Sequence, residues 1–309
     1  MKALDKSDFG DILDSLKPKI GNYDWMWKFL AARAKQKRAF PSRLYPRLMR
    51  WGDPRKPYSI CKTASGILFL GDYRDRWSAH YAIFPNFDDS VANSILARMK
   101  RSDGICLDIG ANMGVMAATI AKGLDNRSEV IAFEPLAATV RRAAATFALN
   151  KLTNIRLLPI ALGDQDGDIK FYDAPGMSEG ASANPTDFSD QGVKIDWQEI
   201  KVPCRRLDTI MTEYDLPKVS AIKLDVEGNE YKTMQGGIKL LQRDSPMVLY
   251  EYFPHVAHSS GWRPADMQAV FSKSGPYQYE VLYEDNSITP YPPSSETEIV
   301  NIICHGRVC

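Results

Sequence analysis

The chain has 309 residues, 44% hydrophobic and 25% charged, with 39 basic residues against 38 acidic ones. These fractions are those of an ordinary globule, and the near-neutral balance excludes any global pull toward nucleic acid or a membrane surface. No apolar run is long enough to span a bilayer, and the opening MKALDKSDFGDILDSL lacks a signal-peptide core, which predicts a cytoplasmic protein.

Length allows about two domains, or one α/β domain with an extension. We expect a helical extension over 1–100 and the main domain over 101–309. Cys61, Cys106, Cys204, Cys304 and Cys309 are odd in number and show no C-x-x-C spacing. They read as reduced thiols, with no metal site. Residues 1 to about 50 read as short helices: Leu4, Phe9, Ile12, Leu13 and Leu16 follow a helical period, and Pro18, Gly21, Pro41 and Pro46 interrupt it. From Lys28 to Lys62 the charges are basic, with Asp53 the lone acid. That run is either a solvated face or a surface for an acidic or phosphate-bearing partner. Residues 58–71 predict a hairpin. The aromatic, charged stretch 72–89 is placed to cover a ligand, and 90–100 predicts a helix.

The next segment, GICLDIGANMGVMAATIAKGLDNRSEVIAFEP (104–135), carries the most information. Ile105–Ile109 is an apolar strand of the kind covered on both faces. Asp108 interrupts it where an acid can reach a ligand's amino group. Gly110 permits a sharp turn and close ligand approach, Asn112 can cap the next helix, and Gly114 opens its first turn. The helix N-terminus suits a ligand carboxylate. A second strand, 130–133, ends in Glu134, a carboxylate placed for two ribose hydroxyls. A dinucleotide site would want G-x-G-x-x-G, whereas Gly110 and Gly114 stand in G-x-x-x-G. The spacing therefore favours S-adenosylmethionine (SAM).

Strand-like and helix-like runs then alternate, predicting a doubly wound, mostly parallel α/β sheet. A helix over 137–150 leads to a third strand, 155–162, followed by Asp164. Residues 168–173 and 200–207 alternate and are expected to pair as an antiparallel excursion. The long loop between them is of a kind that is usually functional or mobile. A fourth strand, 221–226, a helix near 230–242, a fifth strand, 247–253, a helix at 264–274 and closing strands at 279–284 and 299–305 complete the pattern. In AIKLDVEGNEYKTMQGG (221–237), Asp225, Glu227 and Glu230 cluster beyond a central strand end, where open α/β sheets bind ligands. Glu251 closes the next strand and His255 follows it. Glu230 reads as a helix N-terminal acid. Asp225, Glu227, Glu251 and His255 are candidates to converge beside the cofactor and take a proton from an acceptor hydroxyl. The carboxylates are oxygen donors of the kind magnesium accepts, but nothing in the spacing requires a metal.

LDIGANMG, AFEP, IALGD, IKLDVEGNE and the Tyr250–Glu251 pair, in that order, resemble the FkbM-type SAM-dependent methyltransferases over roughly residues 104–253. The resemblance implies the Rossmann-like class I methyltransferase fold, a seven-stranded sheet whose last strand is antiparallel. It implies O-methylation of sugars, polyketides or related small molecules. It also implies that Asp108, Gly110, Asn112 and Gly114 hold the methionine part of SAM, Glu134 the ribose, and Asp164 the adenine edge, with Asp225 and Glu227 on the substrate side. Two other readings stand beside it. One is a nucleic-acid or peptide N-methyltransferase guided by the basic N-terminal segment. DVEG in place of an N/D-P-P-Y/F turn argues against the DNA enzymes, and no RNA-binding signature is present. The other is a non-catalytic SAM-fold partner protein. A homodimer is left open.

Overall fold

The computed structural model describes residues 2–37, 50, 52–174, 176–186, 195–283, 285–292 and 299–306. Two helices, α1 (Lys6–Leu16) and α2 (Asp24–Lys37), open the chain, and the antiparallel hairpin β1 (Tyr58–Lys62) and β2 (Leu68–Asp72) follows. The Asp5 carboxylate starts α1 by accepting from the Ser7 N–H at 2.9 Å. Helices α3 (Arg76–Ile83) and α4 (Asp89–Met99) lead into β3 (Ile105–Ile109), α5 (Val115–Leu124), β4 (Val130–Phe133), α6 (Ala137–Leu149) and β5 (Ile155–Leu158). Then come β6 (Ala161–Gly163), β7 (Gly167–Asp173), β8 (Gln198–Arg206), α7 (Leu207–Glu213) and β9 (Val219–Leu224). The chain continues through α8 (Glu230–Gln235), α9 (Ile238–Asp244), β10 (Met247–Tyr252), α10 (Pro254–Ser259) and α11 (Pro264–Ser272). It closes with β11 (Gln278–Leu282), β12 (Ile288–Pro290) and β13 (Val300–His305).

The central sheet runs β12-β11-β13-β10-β9-β3-β4-β5. Strands β5, β4, β3, β9 and β10 are parallel neighbours, and β13 lies antiparallel between β10 and β11. This is the expected mostly parallel sheet with its last strand antiparallel, with one addition: eight strands rather than seven, because the three-residue β12 pairs onto the edge of β11. Every residue of β3, β4 and β9 is buried, as parallel strands covered on both faces require. Successive residues serve opposite faces. Cys106, Val130 and Ala132 pack with Ala117, Ile120 and Phe147 of α5 and α6, while Leu107, Ile131 and Ile222 pack with Ile210, Leu240 and Phe271 of α7, α9 and α11. Helix α1 joins the first layer through Phe9, whose ring meets Phe147 edge-on at 5.2 Å.

Three expectations change in detail. The third strand does not run unbroken over 155–162. Pro159 has no N–H for a ladder, and the chain leaves the main sheet there and re-pairs as β6 in a small sheet of order β6-β8-β7. The expected excursion pairing is present in that sheet, with Gly167–Asp173 antiparallel to Gln198–Cys204. The helix near 230–242 is two helices divided at Gly236–Gly237, and a Cβ on Gly236 would lie 2.0 Å from the Gly163 carbonyl oxygen. Helix α10, which carries His255, was not foreseen.

Cys61, Cys106, Cys204 and Cys304 are free and buried. Burial pushes the Cys61 and Cys204 thiols up to about 11. Among the described residues no helix is long and apolar enough to cross a membrane. Part of the basic run, Arg38, Arg43 and Arg47, lies outside the described residues. Within them, Lys28 pairs with Asp24 at 2.6 Å and Arg55 with Asp53 at 3.1 Å.

Candidate functional site

The chain builds β3, β4 and β5 outward on one side and then returns to place β9 on the other side of β3. The reversal leaves a crevice beyond the carboxyl ends of β3 and β9, the place where open α/β sheets take ligands. A cavity of about 430 Å³ opens there. Its walls include Ile109 to Met113 after β3, Phe133 and Glu134 at the end of β4, Asp225 to Glu227 after β9, and Glu251 and Phe253 at β10. The 72–89 stretch contributes Arg76, Trp77, His80, Tyr81 and Asp88, and the excursion loop contributes residues 177–178, 180–184 and 186.

On the β3–β4 side the turn is set by close packing. Gly110 has φ +82°, and a Cβ there would sit 1.7 Å from the Asp225 carbonyl oxygen, so the two strand-end turns touch only because this residue is glycine. Gly114 (φ +80°) is the N-cap of α5. The expected capping by Asn112 is not made. Its backbone is left-handed (φ +48°), and its buried Oδ1 has no hydrogen-bond partner, an acceptor ready for a ligand donor. Glu134 holds this turn to the next: its Oε2 accepts from the Asn112 N–H and its Oε1 from the Leu136 N–H, each at 2.9 Å. Burial pushes its carboxyl up to about 7 against those two bonds. Each oxygen keeps a further acceptor position. The unsatisfied Asn112 oxygen, the Glu134 carboxylate and the apolar Ile109, Phe133 and Leu162 fit a nucleoside bearing an amino-acid tail.

Two of the residues expected to hold SAM do not line the cavity. Asp108 is 0% exposed and is not among the residues lining the cavity. In register it lies opposite Lys223 of β9, whose Nζ is 3.5 Å from its Oδ1. Burial pushes its carboxyl up to about 6, with Lys223 opposing that rise. Asp164 follows β6, is exposed and does not line the cavity, whereas Leu162 does.

On the β9–β10 side, Asp225, Glu227 and Glu251 each bring an oxygen within 4.8 Å of the others. Glu227 is left-handed (φ +52°). The turn is fixed by Glu230, whose Oε1 accepts from the Val226 N–H at 2.9 Å and the Gly228 N–H at 3.2 Å. Burial, Asp225, Asp88 and Glu230 together hold the Glu251 carboxyl well above the usual carboxylate range. His255 sits on α10, its ring 6.4 Å from that of Phe253, and does not line the cavity; Val256 does.

Lys223 is a site residue that sequence reasoning missed. It donates to the Gly110 carbonyl at 3.0 Å and lies 3.1 Å from Asp225 Oδ2. Burial works against its charge, but Asp225 and Asp108 outweigh that and hold the ammonium above the ordinary lysine range. The available signal was a lysine inside the otherwise apolar strand AIKL, where a charge must be paired to be buried. Asp88 was also missed. It is left-handed (φ +62°), accepts from the Tyr81 hydroxyl at 2.6 Å and adds a fifth carboxylate to the wall, beside Glu134, Asp225, Glu227 and Glu251. His80 stacks on Trp77 at 5.1 Å, and burial with the Arg76 charge lowers its imidazole to about 4.

Residues 108–275 match the family described as Methyltransferase FkbM domain. Among curated proteins, 2-O-methyltransferase NoeI of Sinorhizobium fredii is 29% identical over 189 residues, covering 58% of this chain and 75% of NoeI. Hexuronic acid methyltransferase AglP of Haloferax volcanii is 26% identical over 148 residues, covering 48% of this chain and 56% of AglP. Among solved structures, methyltransferase FkbM from Methylobacillus flagellatus aligns with 65% of this chain and 43% of its own at 16% identity and a TM-score of 0.40. M. jannaschii TYW2 in complex with AdoMet aligns with 81% of this chain and 85% of its own at 12% identity and a TM-score of 0.44.

Proposed function

As the chain belongs to the FkbM methyltransferase family, with SAM as methyl donor, we propose that it methylates a hydroxyl of a sugar or related small molecule, with Glu251 as the base. The observation that carries this reading is the convergence of Asp225, Glu227 and Glu251 beside the turns of Gly110 and Glu134. A hydroxyl acceptor needs orientation by hydrogen bonds and a group to take its proton. The names of NoeI and AglP point to the same acceptor class.

Bound SAM supplies an electrophilic methyl group on a sulfonium. The chain's own part is to place and to deprotonate. Glu134 and Asn112 offer acceptors to the donor's ribose and amino groups. Lys223 acts from behind, joining Asp108, the Gly110 carbonyl and Asp225 so that both turns keep one geometry. Asp225, committed to Lys223, orients the acceptor. Glu251, whose proton affinity is raised above that of an ordinary carboxylate, receives the hydroxyl proton. With that proton gone the acceptor oxygen would be the nucleophile for the methyl group that bound SAM would supply, its sulfur leaving with the C–S electron pair.

Calorimetric titration with SAM and with S-adenosylhomocysteine, on wild type and on Glu134→Ala, tests the donor half. Loss of a charged hydrogen-bond acceptor is expected to weaken binding about tenfold or more. Equal affinities would remove Glu134 from the donor site. The acceptor half is tested by methyl transfer to a panel of neutral and uronic acid glycosides. Tight SAM binding with no methylated glycoside would sink the hydroxyl reading.

A further inference from the structure

A second buried polar network joins the turn before α3, helix α6 and the excursion loop beside the cavity. Asp75, in the turn before α3, and Arg142, on α6, form an ion pair at 2.9 Å with side chains only 6% and 7% exposed. Arg142 also reaches the Leu70 carbonyl at 3.3 Å, the Ser78 hydroxyl and the Met113 sulfur at 3.2 Å. Met113 lies between Asn112 and Gly114, inside the turn that faces the donor. Asp75 accepts in addition from the Ser178 N–H at 3.0 Å and the Ser178 hydroxyl at 3.1 Å. Beside it, the Arg76 N–H donates to the Gly176 carbonyl at 3.0 Å.

Ser178 begins one end of a strap, residues 176–186, that forms a wall of the cavity. Farther along it is tied to the turn after β9: the Ser182 hydroxyl donates to the Glu227 main-chain carbonyl at 2.6 Å and accepts from the Asn184 N–H at 3.0 Å. Asn184 lines the cavity with a buried Nδ2 that has no partner, a donor that suits an acceptor hydroxyl. The strap therefore runs from the network that touches Met113 to the turn that carries Glu227.

We propose that Asp75, Arg142 and Ser178 are positioning residues that make the order of the 176–186 strap depend on the donor turn, so that SAM binds first and prepares the acceptor wall. This rests on the methyltransferase reading. The physical reason is the buried ion pair. With both charges withdrawn from water it is either fully made or badly uncompensated, so it does not deform gradually. Whatever fixes Met113 fixes the side of Arg142 that faces Asp75, and Asp75 holds Ser178. Ordering at one end then reduces what remains to be ordered at the other.

Hydrogen exchange by mass spectrometry tests this without an acceptor. Asp75 and Arg142 variants strip a buried charge of its partner, so Ser178→Pro is the sharper probe. It removes both donors to Asp75 at the first position of the helical turn Ser178–Gly180, where proline is tolerated. In wild type, saturating SAM is expected to slow exchange across 176–186 about tenfold or more. In Ser178→Pro that protection disappears and the SAM affinity falls by up to about tenfold, the reciprocal of the lost coupling, and Ser178→Ala gives an intermediate result. Three results would overturn the proposal: unchanged strap exchange in SAM-bound wild type, full protection in Ser178→Pro, or abolished SAM binding in Ser178→Pro, which would make the strap part of the donor pocket itself. If wild type fails to bind SAM, the methyltransferase reading falls with it, and the binding isotherm separates that case from the other three.

Discussion

Replacing Glu251 by glutamine is expected to lower kcat by about 10²–10⁴-fold, the range for loss of a general base, while SAM affinity stays within about twofold. Glutamine keeps the shape and loses the proton acceptor. The wild-type rate should fall as pH drops through the raised Glu251 value, because the protonated carboxyl cannot receive the hydroxyl proton. That acid limb lies above the usual carboxylate range and is absent from the residual activity of the variant. Stability should move the other way. A group whose folded value is raised contributes stability that is present at low pH and lost as pH rises through that value. Above that value ionised Glu251 faces Asp225, Asp88 and Glu230, with Lys223 opposing them. The variant removes that repulsion, so its Tm should exceed wild type on the alkaline side of that value, with the gap closing on the acid side. S-adenosylhomocysteine release and thermal melts across a pH series measure both effects. Unchanged kcat would remove Glu251 from the chemistry. Lost activity together with a lower Tm at the alkaline end would mark it as a packing residue.

What was legible in the chain is what lies close together in it. The strand–turn–helix of 105–124 and the acid at 134 are local features, since glycine at a tight turn and an acid at a strand end are dictated by neighbours a few residues away. The same holds for DVEG and for the excursion of 168–173 against 200–207. Lys223 and Asp108 become partners only through the register of β9 on β3, and period-2 alternation cannot announce a register between strands so distant in sequence. Asp108 was accordingly assigned to the ligand, whereas its neighbour across the sheet is a lysine. Asp75, Arg142 and Ser178 meet from three separate segments. The split of the third strand was legible in principle, because Pro159 stands inside it and proline does not sit in a central ladder. Apolar continuity across Ile155–Leu162 masked that signal, and with it the reason Asp164 leaves the cavity.

Replacing Lys223 by methionine should be the most destabilising single change at the site. Lys223 is 8% exposed and Asp108 0% exposed. Removing one member of a buried pair leaves an uncompensated charge, at a cost of about 3–5 kcal/mol. For a domain of this size that is a fall in Tm on the order of 10 °C. The loss has a pH signature. Asp108 already stands at about 6 with Lys223 present, so its folded value is raised, and its contribution to stability is present at low pH and lost as pH rises through that value. Without the ammonium the value moves higher still, and Asp108 is accommodated only as the neutral acid. The deficit of Lys223→Met should therefore be large at pH 8 and shrink below about pH 6. Adding Asp108→Asn should recover much of it, since removing both members of a buried pair is often close to neutral. SAM affinity should not recover in the double variant, because the Gly110 carbonyl still lacks its Nζ donor and the donor turn loses its tie to Asp225. A deficit independent of pH, or one that Asp108→Asn leaves untouched, would show that Lys223 acts through packing of its stem and not as the cation between the two aspartates.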